Sequence, residues 1–152
     1  MSKAGLGIAA FFIIGLALAA TNFLTREETA PTHSMDPPDL SDVEAGGPIV
    51  DVALPAELSP EAQIGQRVFE AACSACHGTN AAGQNGVAPP LIHPTYRPNH
   101  HSDQAFLMAA RNGVSAHHWE FGNMPVIEGL TNADVRAIVR YIRELQRENG
   151  IS

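Results

Sequence analysis

The stretch Cys73-Ser74-Ala75-Cys76-His77 decides which fold and which chemistry this chain can have, because it holds both cysteines of the 152 residues. Cysteines at positions i and i+3 face the same side of a helical turn, so their sulfurs can bond to one shared group. The residue that follows then projects an imidazole towards that group. This C-x-x-C-H spacing is typical of covalent haem attachment, with two thioethers to the ring and a histidine ligand to iron.

Other interpretations of the cysteine pair are weaker. A thioredoxin-like redox pair should follow a strand in a βαβ unit, and a four-cysteine zinc site needs a second pair of cysteines. The sequence meets neither condition, so haem attachment is favoured over both and over a chance match. Two cysteines three positions apart also exclude a scaffold of several disulfide bridges.

The apolar periodicity of three segments predicts an all-α domain. The first helix is expected to begin at a capping Ser59 with Pro60 in its first position, because these residue types are preferred there. Ile64, Val68 and Ala72 then recur every four residues and predict one buried face. This helix leads directly into the cysteine motif.

Two further helices follow the motif. The middle one is expected to run from a capping Ser102 to Gly113. The last is expected to begin at Thr131, with Asp134 completing a capping box, and to end before Gly150. The residues expected to be buried are Phe106, Leu107 and Ala110 of the middle helix and Val135, Ile138, Val139, Ile142 and Leu145 of the last.

Residues 1–25 are expected to form an N-terminal membrane anchor or a signal peptide. No charge interrupts Ala4 to Thr25, and as a helix this stretch reaches about 33 Å, enough for a hydrocarbon core of about 30 Å. Lys3 favours an N-terminus in the cytoplasm. A cleaved signal is the alternative, since 17–19 reads Ala-Leu-Ala, but the apolar character continues past that site and favours retention. Either reading places the rest of the chain on the extracytoplasmic, periplasmic side.

Charge separates a linker, residues 26–58, from a folded domain, residues 59–152. The stretch 26–60 holds eight acids and one base, whereas 61–152 holds eight acids and seven arginines without a lysine. The proline-containing linker is expected to have no fixed structure, apart from Val50, Val52 and Leu54. These three alternate and are expected to lie as an extended arm on the domain, with a short strand as the alternative. The nearly neutral domain excludes a nucleic-acid interface and a strongly basic docking face.

From Ser59 to its end the chain resembles the class I cytochromes c. Members of that family have an N-terminal helix leading into C-x-x-C-H, a P-x-L turn, a middle helix, a methionine followed by proline, and a long C-terminal helix. Here the turn is Pro89-Pro90-Leu91 and the methionine is in Met124-Pro125. The resemblance implies three main helices around one covalently attached haem c.

The resemblance also assigns axial ligands. The carbonyl of Pro89 is expected to accept a hydrogen bond from His77, which orients that ligand and raises its basicity. Met124 is expected to be the sixth ligand, because a thioether suits low-spin haem iron and raises its reduction potential. Met108 lies in a predicted helix and is expected to be a core residue. A second histidine ligand or an open sixth position are the alternatives.

Three residues are expected to meet where the terminal helices cross in members of this family. A small residue at that crossing lets an aromatic ring approach the opposing backbone. These residues are therefore expected to serve stability rather than chemistry. They are Gly65, Phe69 and Tyr141.

Five histidines lie between the P-x-L turn and the methionine loop, and they depart from the simplest family pattern. Surface positions or contacts to haem propionates are the favoured interpretation. A second metal site, built from one member of each adjacent pair, is the alternative. Trp119 and Arg97 are further candidates for propionate contacts, although Trp119 could simply cover the haem edge. The five histidines are His93, His100, His101, His117 and His118.

A haem with both axial positions filled exchanges one electron without binding a substrate, so a carrier rather than an enzyme is expected. An anchored domain would shuttle electrons between membrane-associated redox proteins, since tethering raises the effective concentration of such partners. Two alternatives remain at this point. One is a small haem enzyme with an open iron site, and the other is a metal-binding or sensing module built on the histidines.

Overall fold

The computed structural model describes Phe12, Gly15, Leu16 and residues 35–152. The chain divides into two compact units, Met1–Thr32 and His33–Ser152. Of the first unit, the three described residues are helical. The predicted anchor or signal, residues 1–25, otherwise lies outside the described residues. Within the described part of the chain, no helix is both long and apolar enough to cross a membrane.

The second unit is built from helices. These are α1 (Pro60–Ala72), the single turn α2 (Ser74–His77), α3 (Asp103–Asn112) and α4 (Asn132–Glu148). Short 3-10 turns cover Thr79–Ala81 and Pro94–Tyr96. Residues 35–152 contain no strand, only two isolated bridges that join Gln84 to Ala88 and Val114 to Met124. The prediction of an all-α domain with three main helices is confirmed for this part of the chain.

Two of the helices begin with the predicted caps. The hydroxyl of Ser59 accepts a hydrogen bond from the amide of Ala62, and Thr131 and Asp134 form the reciprocal capping box of α4. Ser102 occupies the N-cap position of α3, but its hydroxyl makes no capping hydrogen bond. All five residues predicted for the buried face of α4 are buried.

The core forms where α1 crosses α4. Phe69 and Tyr141 are both buried, with ring centroids 5.7 Å apart, as the family resemblance implies. Gly65 instead meets the backbone of Ala137, and a Cβ at Gly65 would overlap the carbonyl of Ala137. The two helices are therefore in contact at the level of their backbones.

The predicted buried face of α1 is partly wrong. Ile64 is 48% exposed, while Ala62, Gly65 and Phe69 are buried. Helical spacing of three to four residues is compatible with a buried face that contains Ile64 and with one that contains Gly65. The face that α4 covers is not the one with the larger side chain, Ile64. The close backbone approach selects the stripe that contains the glycine.

Residues 35–58 lie on the domain, so the prediction of a linker without fixed structure is wrong for this part of it. The amides of Ile49 and Val50 both donate to the carbonyl of Ala82, at 3.1 and 3.2 Å. Val50 and Val52 pack against the core as predicted, whereas Leu54, the third residue of the predicted arm, is 56% exposed. These backbone hydrogen bonds could not be predicted from the composition of the segment, which is rich in proline and acidic residues.

Two buried polar residues of α4 fix the segment between the P-x-L turn and α3. Arg143 donates to the carbonyl of Tyr96 at 2.6 Å, to a carboxylate oxygen of Asp103 at 2.8 Å and to the carbonyl of His101. Gln146 donates to the carbonyls of Leu91 and Tyr96. These bonds satisfy loop carbonyls that burial would otherwise leave unpaired.

Candidate functional site

The described residues enclose a cavity of about 580 Å³ between α1, α3, α4 and the loop that follows α3. This volume falls within the range of about 300–1,000 Å³ that is usual for cofactor sites. Apolar side chains such as Phe69, Ile138 and Ile142 form much of its wall. All the site residues predicted from the sequence line this one cavity, namely Cys73, Cys76, His77, Pro89 and Met124.

The two cysteines stand at the junction of α1 and α2. Cys73 ends α1 and precedes α2, which places it and Cys76 three residues apart on one helical turn. Both thiols are free. Burial raises the pKa of the Cys73 thiol to about 11, and the neighbouring Cys76 adds to this effect. A thioredoxin-like pair requires a lowered thiol pKa, so the environment of Cys73 argues against that interpretation.

His77 is held in one orientation by a backbone carbonyl. Its Nδ1 lies 2.9 Å from the carbonyl oxygen of Pro89, which only accepts, so Nδ1 carries the proton and Nε2 keeps a free lone pair. Burial lowers the pKa of the His77 imidazole, although the bond to Pro89 opposes this. The neutral imidazole is the form that binds iron.

A glycine makes this geometry possible. Gly83 has φ +75°, and a Cβ there would lie 2.5 Å from the nitrogen of Pro90. The amide of Gly83 also donates to the carbonyl of His77 at 2.7 Å. The backbone that carries Pro89 can therefore approach the histidine only because this position lacks a side chain.

Met124 is fixed through its backbone. It exchanges two hydrogen bonds with Val114, at 3.0 and 2.9 Å, and the side chain of the preceding Asn123 accepts a hydrogen bond from the amide of Ala116. Gly113, with φ +72°, lies against this bridge, where a Cβ would come 2.7 Å from the carbonyl oxygen of Met124. The loop is thereby closed against the end of α3.

The prediction that Met108 is a core residue is wrong. Met108 lies on α3 with 47% of its surface exposed, and it also lines the cavity. The helical periodicity placed it near the buried side, but α3 packs on α4 through Ala110 and the partly buried Phe106 and Leu107. The cavity thus offers two methionines rather than one.

Two buried donors lack acceptors among the described residues. They are the indole nitrogen of Trp119, which lines the cavity, and the Nε of Arg97, which directly follows the cavity residue Tyr96. Buried donors are nearly always paired in native proteins, so both nitrogens are available to a carboxylate or carbonyl group bound at the cavity, with the Tyr96 hydroxyl as a weak competing partner of the indole. An apolar cavity with two such donors fits a haem, whose ring is apolar and whose propionates are carboxylates.

Tyr96 was missed in the sequence. Its side chain lines the cavity and its ring lies 5.1 Å from that of His101. Burial raises the pKa of the Tyr96 hydroxyl, an effect that the neighbouring Trp119 opposes. A single tyrosine in an irregular segment carries no periodic signal, and the only hint was its position beside Arg97.

The histidines are not all at the surface. His93 is buried, and its Nδ1 accepts a hydrogen bond from the amide of Thr95, so a surface position is wrong for this residue. His100, His101 and His118 lie together, with one ring nitrogen from each within 4.8 Å of the others. Burial lowers the pKa of His101 and of His118, and neighbouring histidines lower both further.

The family model for cytochrome c matches residues 62–146, more than half of the chain. The chain therefore belongs to the cytochrome c family. Membership supports a class I c-type cytochrome, implies a haem c cofactor and indicates electron transfer rather than catalysis. No curated protein and no solved structure matches the chain.

Proposed function

We propose that this protein is a one-electron carrier whose single haem c is held by His/Met ligation. One observation carries the proposal. The C-x-x-C-H motif, the imidazole oriented by Pro89 and the loop methionine Met124 all line the same apolar cavity. A cytochrome c that fills both axial positions from its own chain has no iron position left for a substrate.

Each residue has a stated role in this proposal. Cys73 and Cys76 would supply the sulfurs of two thioethers, and Nε2 of His77 and the sulfur of Met124 would be the protein ligands of the iron. Bound haem supplies reversible one-electron Fe(II)/Fe(III) chemistry. The apolar wall excludes water, and Trp119 and Arg97 offer donors to the propionates.

The proposed location follows from the N-terminal sequence. Residues 1–25 would anchor the chain in a membrane, and the haem domain, residues 59–152, would lie on the periplasmic side. The chain between them would connect the two parts, and its residues 35–58 pack on the domain. The proposed partners are membrane-associated redox proteins that donate and accept the electron, because an anchored domain meets such partners at high effective concentration.

Covalent attachment is tested by extracting the exported protein with acidified acetone. We expect the haem of the wild type to stay with the polypeptide, and Cys73→Ser combined with Cys76→Ser to abolish haem retention. Ala75→Ser changes an exposed residue inside the motif and should retain the haem. Release of the wild-type haem into the solvent would rule out thioether attachment.

Electron carriage is tested by absorption spectra of the same protein in both redox states, with carbon monoxide added to the reduced form. A six-coordinate carrier should cycle reversibly and bind carbon monoxide slowly or not at all. Rapid binding would show an open iron position and favour a small haem enzyme or a gas-binding protein.

A further inference from the structure

Two pairs of adjacent histidines flank helix α3. His100 and His101 precede it, whereas His117 and His118 follow it. A helix of ten residues separates its ends by about 15 Å. The loop after α3 therefore has to run back along the helix, since the Nε2 atoms of His100 and His118 are only 3.3 Å apart.

The distance fits a hydrogen bond between the two rings, and it also has the size expected for two ligands of one metal ion. Tetrahedral zinc binds imidazole nitrogens at about 2.0–2.1 Å, which sets neighbouring ligand nitrogens about 3.3 Å apart. A ring nitrogen of His101 completes the group, with all three within 4.8 Å. A side-chain rotation that brings the His101 nitrogen closer by about 1.5 Å would place all three nitrogens at the spacing of neighbouring zinc ligands.

His101 is already oriented for such a role. Its Nδ1 lies 2.8 Å from the carbonyl oxygen of Thr95 and must donate to it, which leaves the lone pair on Nε2. The ring also packs against that of Tyr96. A backbone carbonyl that fixes the tautomer of a histidine is the usual outer-sphere support of a metal ligand.

The charges around these rings do not supply another reason for the cluster. The electrostatic neighbours of His101 and His118 are other histidines and, for His101, the guanidinium of Arg143. Arg143 is itself paired with Asp103 at 2.8 Å. Ring packing and the hydrogen bond between His100 and His118 hold the three imidazoles together, and a shared cation would take the place of that hydrogen bond.

We propose that His100, His101 and His118 form a binding site for one divalent transition metal of the copper and zinc class. Imidazole nitrogens suit these ions, whereas magnesium and calcium prefer oxygen ligands. Three protein ligands leave a fourth position for water or another donor. The site is distinct from the iron ligands proposed above, since it uses neither His77 nor Met124.

The metal site also has a consequence that rests on the proposed function. His101 and His118 line the cavity that would hold the haem. A divalent cation beside that cavity disfavours the additional positive charge of Fe(III) and so should raise the reduction potential of the haem. The site would then couple the metal supply outside the cytoplasm to the driving force of electron transfer.

The site is tested by calorimetric titration of the haem-loaded protein with zinc sulfate and, separately, copper sulfate. We expect saturation at one ion per chain. His100→Ala and His118→Ala should each weaken binding by at least about 10–100-fold. His100 is exposed, so its replacement should leave the fold and the haem spectrum intact.

His117→Ala is the matched control. His117 adjoins His118, but it lies outside the group of three, and its Nδ1 bonds to the carbonyl of Ser115. Its ring packs on that of His118 at 4.3 Å, so its replacement should weaken binding far less than His100→Ala or His118→Ala does. Absence of saturable binding, or an equal loss in His117→Ala, would overturn the assignment.

Redox titration with and without saturating zinc tests the coupling separately, because zinc has no redox chemistry of its own. The wild-type potential should rise with zinc, and that of His118→Ala should not. A bound ion without a shift in potential would retain the metal site and remove the coupling. The calorimetric result does not depend on the proposed function, whereas the shift in potential requires a bound haem that changes redox state.

Discussion

At the scale of single residues, the choice of the sixth iron ligand lies between two methionines that line one cavity. Met124 is held by a two-hydrogen-bond bridge to Val114 and precedes Pro125. Met108 extends from α3 and is about half exposed. A ligand has to be held in place before it binds, since a mobile thioether loses more entropy on coordination. This argument favours Met124.

Replacement of each methionine tests the choice. Met124→Ala should abolish the weak far-red sulfur-to-iron absorption band of the oxidised protein and allow the reduced protein to bind carbon monoxide. The reduction potential should fall if water or histidine replaces the thioether, because harder donors favour Fe(III). Absorption spectroscopy and redox titration measure these changes.

Met108→Ala is the control for the same cavity. It should keep the far-red band, and because the side chain is half exposed it should cost less than the roughly 2–5 kcal/mol of a buried methionine. The ligand assignment fails if Met108→Ala loses the band while Met124→Ala retains it.

Sequence reasoning found the residues whose chemistry depends on local spacing. The cysteine motif is such a local pattern, and the family resemblance added the bond from His77 to Pro89, which lies within the same seventeen consecutive residues. The burial of His93 and the exposure of Met108 depend on how α3 and its loops pack on α4. Contacts of that kind follow from tertiary packing, which periodicity alone does not encode.

At the scale of helices, the crossing of α1 and α4 depends on Gly65. Alanine is favoured over glycine in a helix by about 1 kcal/mol, so Gly65→Ala would stabilise an uncrowded helix. Here the new Cβ overlaps the carbonyl of Ala137, which is backbone and cannot rotate away. We expect Gly65→Ala to destabilise the protein by about 1–3 kcal/mol, as measured by denaturant unfolding of the haem-loaded protein.

Ala71, an exposed residue of α1, allows the opposite substitution, from alanine to glycine. Ala71→Gly should cost about 1 kcal/mol through helix propensity alone. If Gly65→Ala stabilises the protein by a similar amount, the two helices do not approach as closely as the structure indicates.

A carboxylate ties the start of α1 to α4. Glu144 accepts hydrogen bonds from the amide and the hydroxyl of Ser59, at 3.0 and 2.7 Å, and from Arg140 at 2.8 Å. Burial acts to raise the pKa of Glu144, but these hydrogen bonds outweigh it and the net pKa is lowered. The hydrogen bonds between Ser59 and Glu144 therefore connect the N-cap residue of α1 to α4.

The lowered pKa of Glu144 gives a pH dependence of stability. A carboxyl whose pKa is lower in the folded state contributes stability above its unfolded pKa and loses it as the pH falls through the folded pKa. Glu144→Gln should therefore be less stable than the wild type at neutral pH, and the difference should shrink below about pH 4. Glu148→Gln, at an exposed position near the end of α4, should show no such pH-dependent difference.

The helix boundaries were predictable because caps are local. Thr131 with Asp134 and Ser59 with Pro60 are sequence signals that need no tertiary contact. The backbone contact at Gly65 was not predictable in detail, since the resemblance indicated Tyr141 as its neighbour and the structure shows Ala137. Which residue meets a glycine depends on the crossing angle and on the axial shift of the helices.

At the scale of the whole molecule, the segment before α1 adds to the domain. Asn149, just after α4, exchanges hydrogen bonds with the amide and the carbonyl of Ala53, both at 2.9 Å. Thr95 donates to the carbonyl of Met35 at 2.9 Å. The folded domain therefore includes residues 35–58, which are most of the predicted linker.

The proposed membrane anchor, residues 1–25, can be tested on the full-length protein. The full-length protein should then sediment with membranes and resist washing with concentrated salt, because about twenty buried apolar residues anchor more strongly than surface charge. The control replaces residues 1–25 by a cleavable export leader and should yield a soluble protein with the wild-type spectrum. Mass analysis of the mature chain decides between the two interpretations. A chain that begins at Ala20 would identify the segment as a cleaved signal and would remove the anchor from the proposed function.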